Sequence, residues 1–137
     1  MHVSQEQFDR FLIDISVCFI ERDFSKWESR ILLPFALVTQ RSPIILETRS
    51  ALLENFHHYL SACDIMRVDK VFRDPLQLED CKDGTWLGTY ETRLISLGGL
   101  ATAPYVSTAL MQLDAGRLKM TSLMGARGHY DWTSQEP

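Results

Sequence analysis

A chain of 137 residues has room for one hydrophobic core and not for two. With 45% hydrophobic and 23% charged residues, it falls outside the disordered, collagen-like and low-complexity classes. Fourteen Lys and Arg against eighteen Asp and Glu give a net charge of -4. No cluster of basic residues offers a phosphate-neutralising surface, so a nucleic-acid partner is not expected. The expectation is one domain spanning 1–137, with a core over about 5–124 and a loosely held tail over 125–137.

Three cysteines, Cys18, Cys63 and Cys81, are an odd number at wide spacings. They spell neither a disulfide framework nor a CxxC pair, which points to a reducing, cytoplasmic setting. Met1 to Glu6 lacks the basic and apolar regions of a signal peptide. Leu94 to Leu113 carries no charge, but Gly98-Gly99, Pro104 and several Ser and Thr break it into strand, loop and strand. No membrane partner is expected.

Taken in order, Phe8, Phe11, Leu12, Ile15 and Phe19 recur at helical spacing, and Ser4 with Gln7 forms a capping box. A first helix is predicted from about Gln5 to Arg22. Asp23 is the N-cap of a short second helix carrying Phe24, Trp27 and Ile31, closed near Leu32 by Pro34. Phe35 to Gln40 and Ile44 to Glu47 read as a strand pair around Arg41-Ser42-Pro43. Thr48 caps a third helix, with Leu52, Leu53, Phe56, Leu60 and Cys63 on one face.

Beyond Asp64 the period changes to that of strands. Ile65 to Cys81 is extended, with an edge or a bulge expected at Pro75. Asp83-Gly84 marks a tight turn, and Thr85 to Ser96 returns. A two-residue turn there sets Asp74 opposite Arg93, Leu76 opposite Glu91, Gln77 opposite Tyr90 and Cys81 opposite Trp86. Tyr105 to Leu113 and Leu118 to Met124 form a second hairpin around Asp114-Ala115-Gly116-Arg117. A turn centred on Ala115-Gly116 sets Met111 opposite Met120 and Ala109 opposite Ser122, all on one apolar face.

The layout is α+β: three helices in the N-terminal half packed on a strongly curved, mixed but mainly antiparallel sheet. At this point the chain resembles the nuclear transport factor 2-like superfamily, in particular its SnoaL-like members, over roughly Phe8 to Met124. The marks are the capped first helix, Asp23-Phe24-Ser25-Lys26-Trp27, Pro34, and Asp83-Gly84 leading to Trp86-Leu87-Gly88-Thr89-Tyr90. Ala103-Pro104 and Asp114-Ala115-Gly116-Arg117 complete them. The resemblance implies a cone-shaped pocket, frequent dimers, and acid-base chemistry of the ketosteroid isomerase, polyketide cyclase or scytalone dehydratase kind. The isomerase residues do not carry over. Ile15 stands where the oxyanion-holding tyrosine would be, Thr39 or Gln40 where the base would be, and Ala109 where the protonated aspartate would be.

The residues themselves point the same way. His2, His57, His58 and His129 show no metal-ligand spacing, and no GxSxG elbow or P-loop is present. Neither a metal nor a cofactor is expected. The catalytic candidates are Asp69, flanked by Val68 and Val71, and Tyr90; a solvated edge is the more ordinary place for Asp69, and core packing an equal alternative for Tyr90. Trp27, Tyr59, Ala109, Met111, Met120 and Ser122 are the candidate ligand-binding residues, although methionines on such a face are more often gap-filling core. The expected function is binding of a small apolar or aromatic molecule by a homodimer, with acid-base lyase, isomerase or cyclase activity as its enzymatic form. The alternative is a non-catalytic assembly or interaction module resembling the small subunits of aromatic-ring dioxygenases or the transport factor itself.

Overall fold

The computed structural model describes residues 3–133. Helix α1 (Gln5–Ile20) begins at Ser4, whose hydroxyl accepts from the Gln7 N–H while the Gln7 side chain accepts from the Ser4 N–H. That reciprocal pairing satisfies two of the free N–H groups at a helix start. Helix α2 (Phe24–Glu28) is capped by Asp23, and α3 (Arg49–Met66) by Thr48. The three helices turn one apolar side each inward: Phe8, Phe11, Leu12, Ile15 and Phe19 from α1, Trp27 from α2, and Leu52, Phe56, Tyr59 and Leu60 from α3 are buried.

Seven strands form one sheet: β1 (Ile31–Val38), β2 (Pro43–Leu46), β3 (Lys70–Asp80), β4 (Trp86–Ser96), β5 (Gly99–Leu100), β6 (Tyr105–Asp114) and β7 (Arg117–Met124). Their order is β2-β1-β7-β6-β4-β3, with β5 beside β4. Every pairing is antiparallel except β1 with β7, which is parallel. The sheet is therefore mixed and mainly antiparallel, curled round the helices. Strand alternation gives it a buried inner face (Trp86, Gly88, Tyr90, Thr92 and Leu94 along β4) and an outer face in partial contact with solvent.

Four expectations need correction. Helix α2 ends at Glu28, and Pro34 lies within β1, where the register to β7 shifts between Ile31 and Ala36. A proline cannot donate to the ladder, and an irregular stretch accommodates it. The link from β3 to β4 runs over residues 81–85, closed by the Cys81 N–H to the Thr85 carbonyl at 3.0 Å. This longer link, with a bulge between Pro75 and Gln77, pairs Asp74 with Glu91, Phe72 with Arg93 and Pro75 with Tyr90. The bulge was expected at Pro75; the longer turn was not. Asp74 and Arg93 still meet diagonally at 2.8 Å, on the solvent side.

In the β6–β7 hairpin the turn does centre on Ala115 and Gly116, whose φ values are both positive (52° and 80°). Met111 faces Met120. A register shift between Leu110 and Met111 then sets Ser122 opposite Leu110 and Leu123 opposite Ala109. The extra residue, Thr121, inverts the alternation, so Leu123 is buried and Ser122 belongs to the outer face.

The last correction is the tail. After β7 the chain turns at Gly125, whose φ is 70° and where a Cβ would come within 2.8 Å of the Val106 carbonyl oxygen. Only glycine fits there. The Ala126 N–H bonds the Val38 carbonyl, and a fourth helix, α4 (His129–Thr133), follows. Ala126 and Trp132 are buried in the core. The described part of the tail is thus a packed wall of the cone; residues 134–137 lie outside the described residues.

Candidate functional site at the mouth of the cone

The cone has a filled end and an end with polar contents. Under the N-terminal half of α1, Phe8 packs on Met111 so closely that a Cβ on Gly88 would lie 2.5 Å from the Phe8 ring and 2.6 Å from Met111 Cε. Ala109, Met111 and Met120 are at most 1% exposed. These three predicted ligand residues are close-packed core, the alternative that methionine chemistry favours. Ser122, on the outer face, does not join them.

At the other end, α1, α2 and α3 approach α4. Here Phe19, Trp27, Leu37, Tyr59, Arg73, Tyr105, Ser107, Leu123, Ala126, Arg127 and Trp132 enclose a cavity of about 20 Å³. That is room for about one water molecule. Predicted residues Trp27 and Tyr59 meet here. Phe19 sits at the centre of an aromatic cluster, with ring centroids 5.2 Å from Trp27, 5.2 Å from Phe56, 5.9 Å from Tyr59 and 5.9 Å from Trp132.

Arg73 brings a charge into this apolar setting. It alternates with Val71 onto the inner face of β3, so its side chain enters the cone. Its Nε donates to the Ile15 carbonyl at 3.3 Å and its Nη1 to the Thr92 hydroxyl at 2.7 Å. The guanidinium carbon stands 5.7 Å from the Tyr90 ring centroid and 5.9 Å from that of Phe19. Burial acts to lower its pKa, but the neighbouring Tyr90 and Tyr105 hydroxyls and the Cys18 thiol outweigh it and raise the value. Arg73 is charged, and among the described residues no carboxylate reaches it.

Two further polar groups are stranded beside it. The Trp27 Nε1–H and the Tyr90 hydroxyl are buried with no hydrogen-bond partner among the described residues. Burial pushes the Tyr90 hydroxyl up to about 12, against a smaller downward pull from Arg73, so it is a neutral donor. Buried polar groups in folded proteins are nearly always paired, and each orphan costs about 1–3 kcal/mol. Two orphans and one uncompensated cation in one corner make a site of it.

Asp69, the predicted carboxylate, lies elsewhere. It is exposed and lines an outer groove with Val17, Ile20, Glu21, Lys70, Val71 and Phe72. Its N–H pairs with the Ile95 carbonyl, which leaves the residue at the sheet's edge, just before β3 begins. The structure does not bring Asp69 together with Tyr90. No Asp, Glu or His among the described residues lines the mouth cavity. Sequence reasoning missed Arg73, Tyr105 and Trp132. For Arg73 a signal existed, since it shares the parity of Val71 in a strand whose other face carries Phe72 and Asp74.

A larger hollow, of about 350 Å³, lies between α1 and the β6–β7 turn, lined by Gln7, Arg10, Ile13, Asp14, Arg30, Gly116, Arg117 and Leu118. Each of its three arginines has a carboxylate partner. Arg30 pairs with Asp14 at 2.9 Å, Arg117 approaches the same carboxylate at 3.6 Å, and Arg10 pairs with Glu6. Size favours this hollow; unsatisfied chemistry favours the mouth.

Among the described residues no group of three or more His, Cys, Asp or Glu is arranged to hold a metal ion. Cys18 and Cys63 are buried free thiols, pushed up by that burial to about 12 and about 11, so neither is a poised nucleophile. No described helix is long and apolar enough to cross a membrane.

Helices packed on a curled mixed sheet, with polar groups gathered at one end, define a cone-shaped α+β fold. It is the fold of nuclear transport factor 2-like proteins. Aln2 from a Streptomyces species superposes with a TM-score of 0.67 at 13% identity, covering 90% of this chain and 92% of that one. An NTF-2 like protein of unknown function from Shewanella oneidensis gives 0.66 at 10% identity, covering 87% and 95%. LinA gives 0.63 at 12% identity, covering 89% and 84%. No family model matches the sequence, and no curated protein does so at a significant level. At these identities the likeness is one of fold.

Proposed function

We propose that the chain is a small-molecule-binding protein whose ligand, an apolar or aromatic molecule with one or two oxygens, enters the mouth of the cone. The observation that carries this reading is the pair of orphaned donors, Trp27 Nε1–H on the cavity wall with Phe19, Tyr59 and Trp132, and Tyr90 Oη–H on the ring beside Arg73. Apolar walls with a few convergent polar groups are the general build of small-molecule sites. Binding is favoured over turnover, because acid-base chemistry needs a proton acceptor on the lining and the predicted one, Asp69, faces another groove.

The test is a titration with 2-naphthol, followed at the indole N–H resonances of the three tryptophans. Saturable shifts at Trp27 and Trp132, with Trp86 unmoved, are expected; no shift at Trp27 up to millimolar ligand defeats the reading. With it goes a homodimer in the cytoplasm. Val38, Ile45, Val106 and Met124 are exposed on the outer face of the neighbouring strands β2, β1, β7 and β6, which supports association there. Sedimentation at micromolar concentration showing only a 15.8 kDa species counts against the dimer.

A further inference from the structure

We propose that the mouth of the cone takes an aromatic carboxylic acid, its carboxylate seated on Arg73 and its ring in the space that the Trp132 indole fills. This rests on the binding reading above and adds the chemical class of the ligand.

The protein contains its own control for the charge. Arg30 is buried, 7% exposed, against a half-buried Arg73, and it behaves as buried arginines usually do: Asp14 meets its Nε at 2.9 Å and the Leu118 carbonyl its Nη1 at 3.1 Å. Arg73 has backbone and hydroxyl acceptors only. The wall round it carries a second guanidinium, Arg127, 5.1 Å from the Tyr105 ring centroid, and no acid among the described residues. Two cations and an unused indole N–H, with no negative charge, present donors to whatever lies between them. A carboxylate is acceptor-only and planar, and it matches the fork of a guanidinium.

The ring is argued from α4. Trp132 is 4% exposed, its ring centroid 4.7 Å from Tyr59, and its Nε1–H donates to the Tyr105 hydroxyl at 3.0 Å. It belongs to a helix of five residues, joined to β7 through Gly125 and Gly128. One short helix thus seats a planar bicyclic ring among aromatic neighbours, next to the unpaired Arg73. A ligand of similar outline that also carries an anion makes the ring contacts of the indole and adds the missing charge. Because the cavity holds only about 20 Å³ with Trp132 in place, entry requires α4 to move aside.

The experiment compares 2-naphthoate with 2-naphthamide and 2-naphthol on the whole chain by calorimetry, in the wild type and in Arg73→Gln, Arg73→Lys and Trp132→Ala. In the wild type 2-naphthoate is expected to bind at least about tenfold more tightly than either neutral compound, about 1.4 kcal/mol. Arg73→Gln should erase that preference, while Arg73→Lys keeps part of it. Trp132→Ala should tighten both classes by removing the competing ring. Equal binding of acid and amide by the wild type overturns the carboxylate proposal and leaves the binding reading standing. No binding of any probe, even by Trp132→Ala, overturns both. The wild-type comparison needs no variant, so it decides the matter even where Arg73→Gln does not fold.

Discussion

The two ends of the cone are built from the same strands and packed to different rules. At the filled end Phe8, Gly88, Ala109, Met111 and Met120 fit against one another with no polar atom among the side chains. At the mouth, a few residues along β4 and β6, Tyr90 and Tyr105 face Arg73, and Trp27 joins them from α2. The filled end is where the sequence maximises stability. The mouth forgoes stability by burying groups that the fold leaves unpaired, and such departures concentrate where a protein does its work.

The contrast predicts opposite responses to substitution. Phe8→Ala, at the filled end, should cost about 3–5 kcal/mol, since it removes a fully buried ring that neighbours cannot collapse to replace. Urea unfolding measures it; a loss below about 1 kcal/mol would mean that this end is not close-packed. Gly88→Ala should cost about 1–3 kcal/mol, because the new methyl group meets the stiff Phe8 ring. A second substitution, Met111→Ala, made with Gly88→Ala, relieves only the Met111 half of that clash.

Tyr90→Phe tests the mouth. Deleting an unpartnered buried hydroxyl should raise stability, by about 1–3 kcal/mol. A loss of about 2 kcal/mol would show that the hydroxyl is paired after all, and the two ends would no longer differ. The smallest effect concerns α4. His129 is held below the ordinary histidine range, first by burial and then by His58, whose ring centroid lies 4.7 Å away; Asp131 pulls the other way. Its neutral form is the one that fits. The docking of α4 is therefore at full strength above the unfolded value of about 6.5 and weakens as pH falls from there toward the depressed folded value. Amide exchange over residues 126–133 at pH 7.5 and pH 5 reads this out, and His129→Gln should flatten the difference.

Much of this architecture was legible in the chain. Ser4, Asp23 and Thr48 mark three helix starts because each is a short polar side chain before a run of helical period, and all three act as caps. The cone and the Met111 to Met120 pairing followed from periodicity, turn residues and family resemblance. Single-residue insertions were harder to read. Leu76 and Thr121 each stand unpaired at a bulge, and alternation in a sequence does not reveal which residue the ladder skips. Ser122 was misassigned for that reason. Of the site, Trp27 and Tyr59 were legible as large amphipathic side chains. Arg73 offered only its shared parity with Val71, because an arginine in a strand is ordinarily solvated, and the assembled cone alone reveals that its acid is missing. Trp132 was hidden in a segment whose glycines suggest looseness, and which becomes ordered only by closing on residues far away in the chain.

The parallel pairing of β1 with β7 has a consequence for how the molecule assembles. Ile31 lies beside Met120, so the β1–β2 hairpin joins the sheet only through the last strand of the chain. The three remaining long strands, β3, β4 and β6, can pair as a meander of local contacts, but nothing attaches β1 until β7 is in place. Contacts of such long sequence separation are slow to form, since the loop must close before any pairing rewards it. Synthesis from the N-terminus thus leaves β1 and β2 waiting with unpaired edges until Met124 has left the ribosome. A circular permutant that opens the chain at 67–69, between α3 and β3, brings β7 closer to β1 in sequence while keeping the β3–β4 pairing local, and it should fold faster to the same sheet.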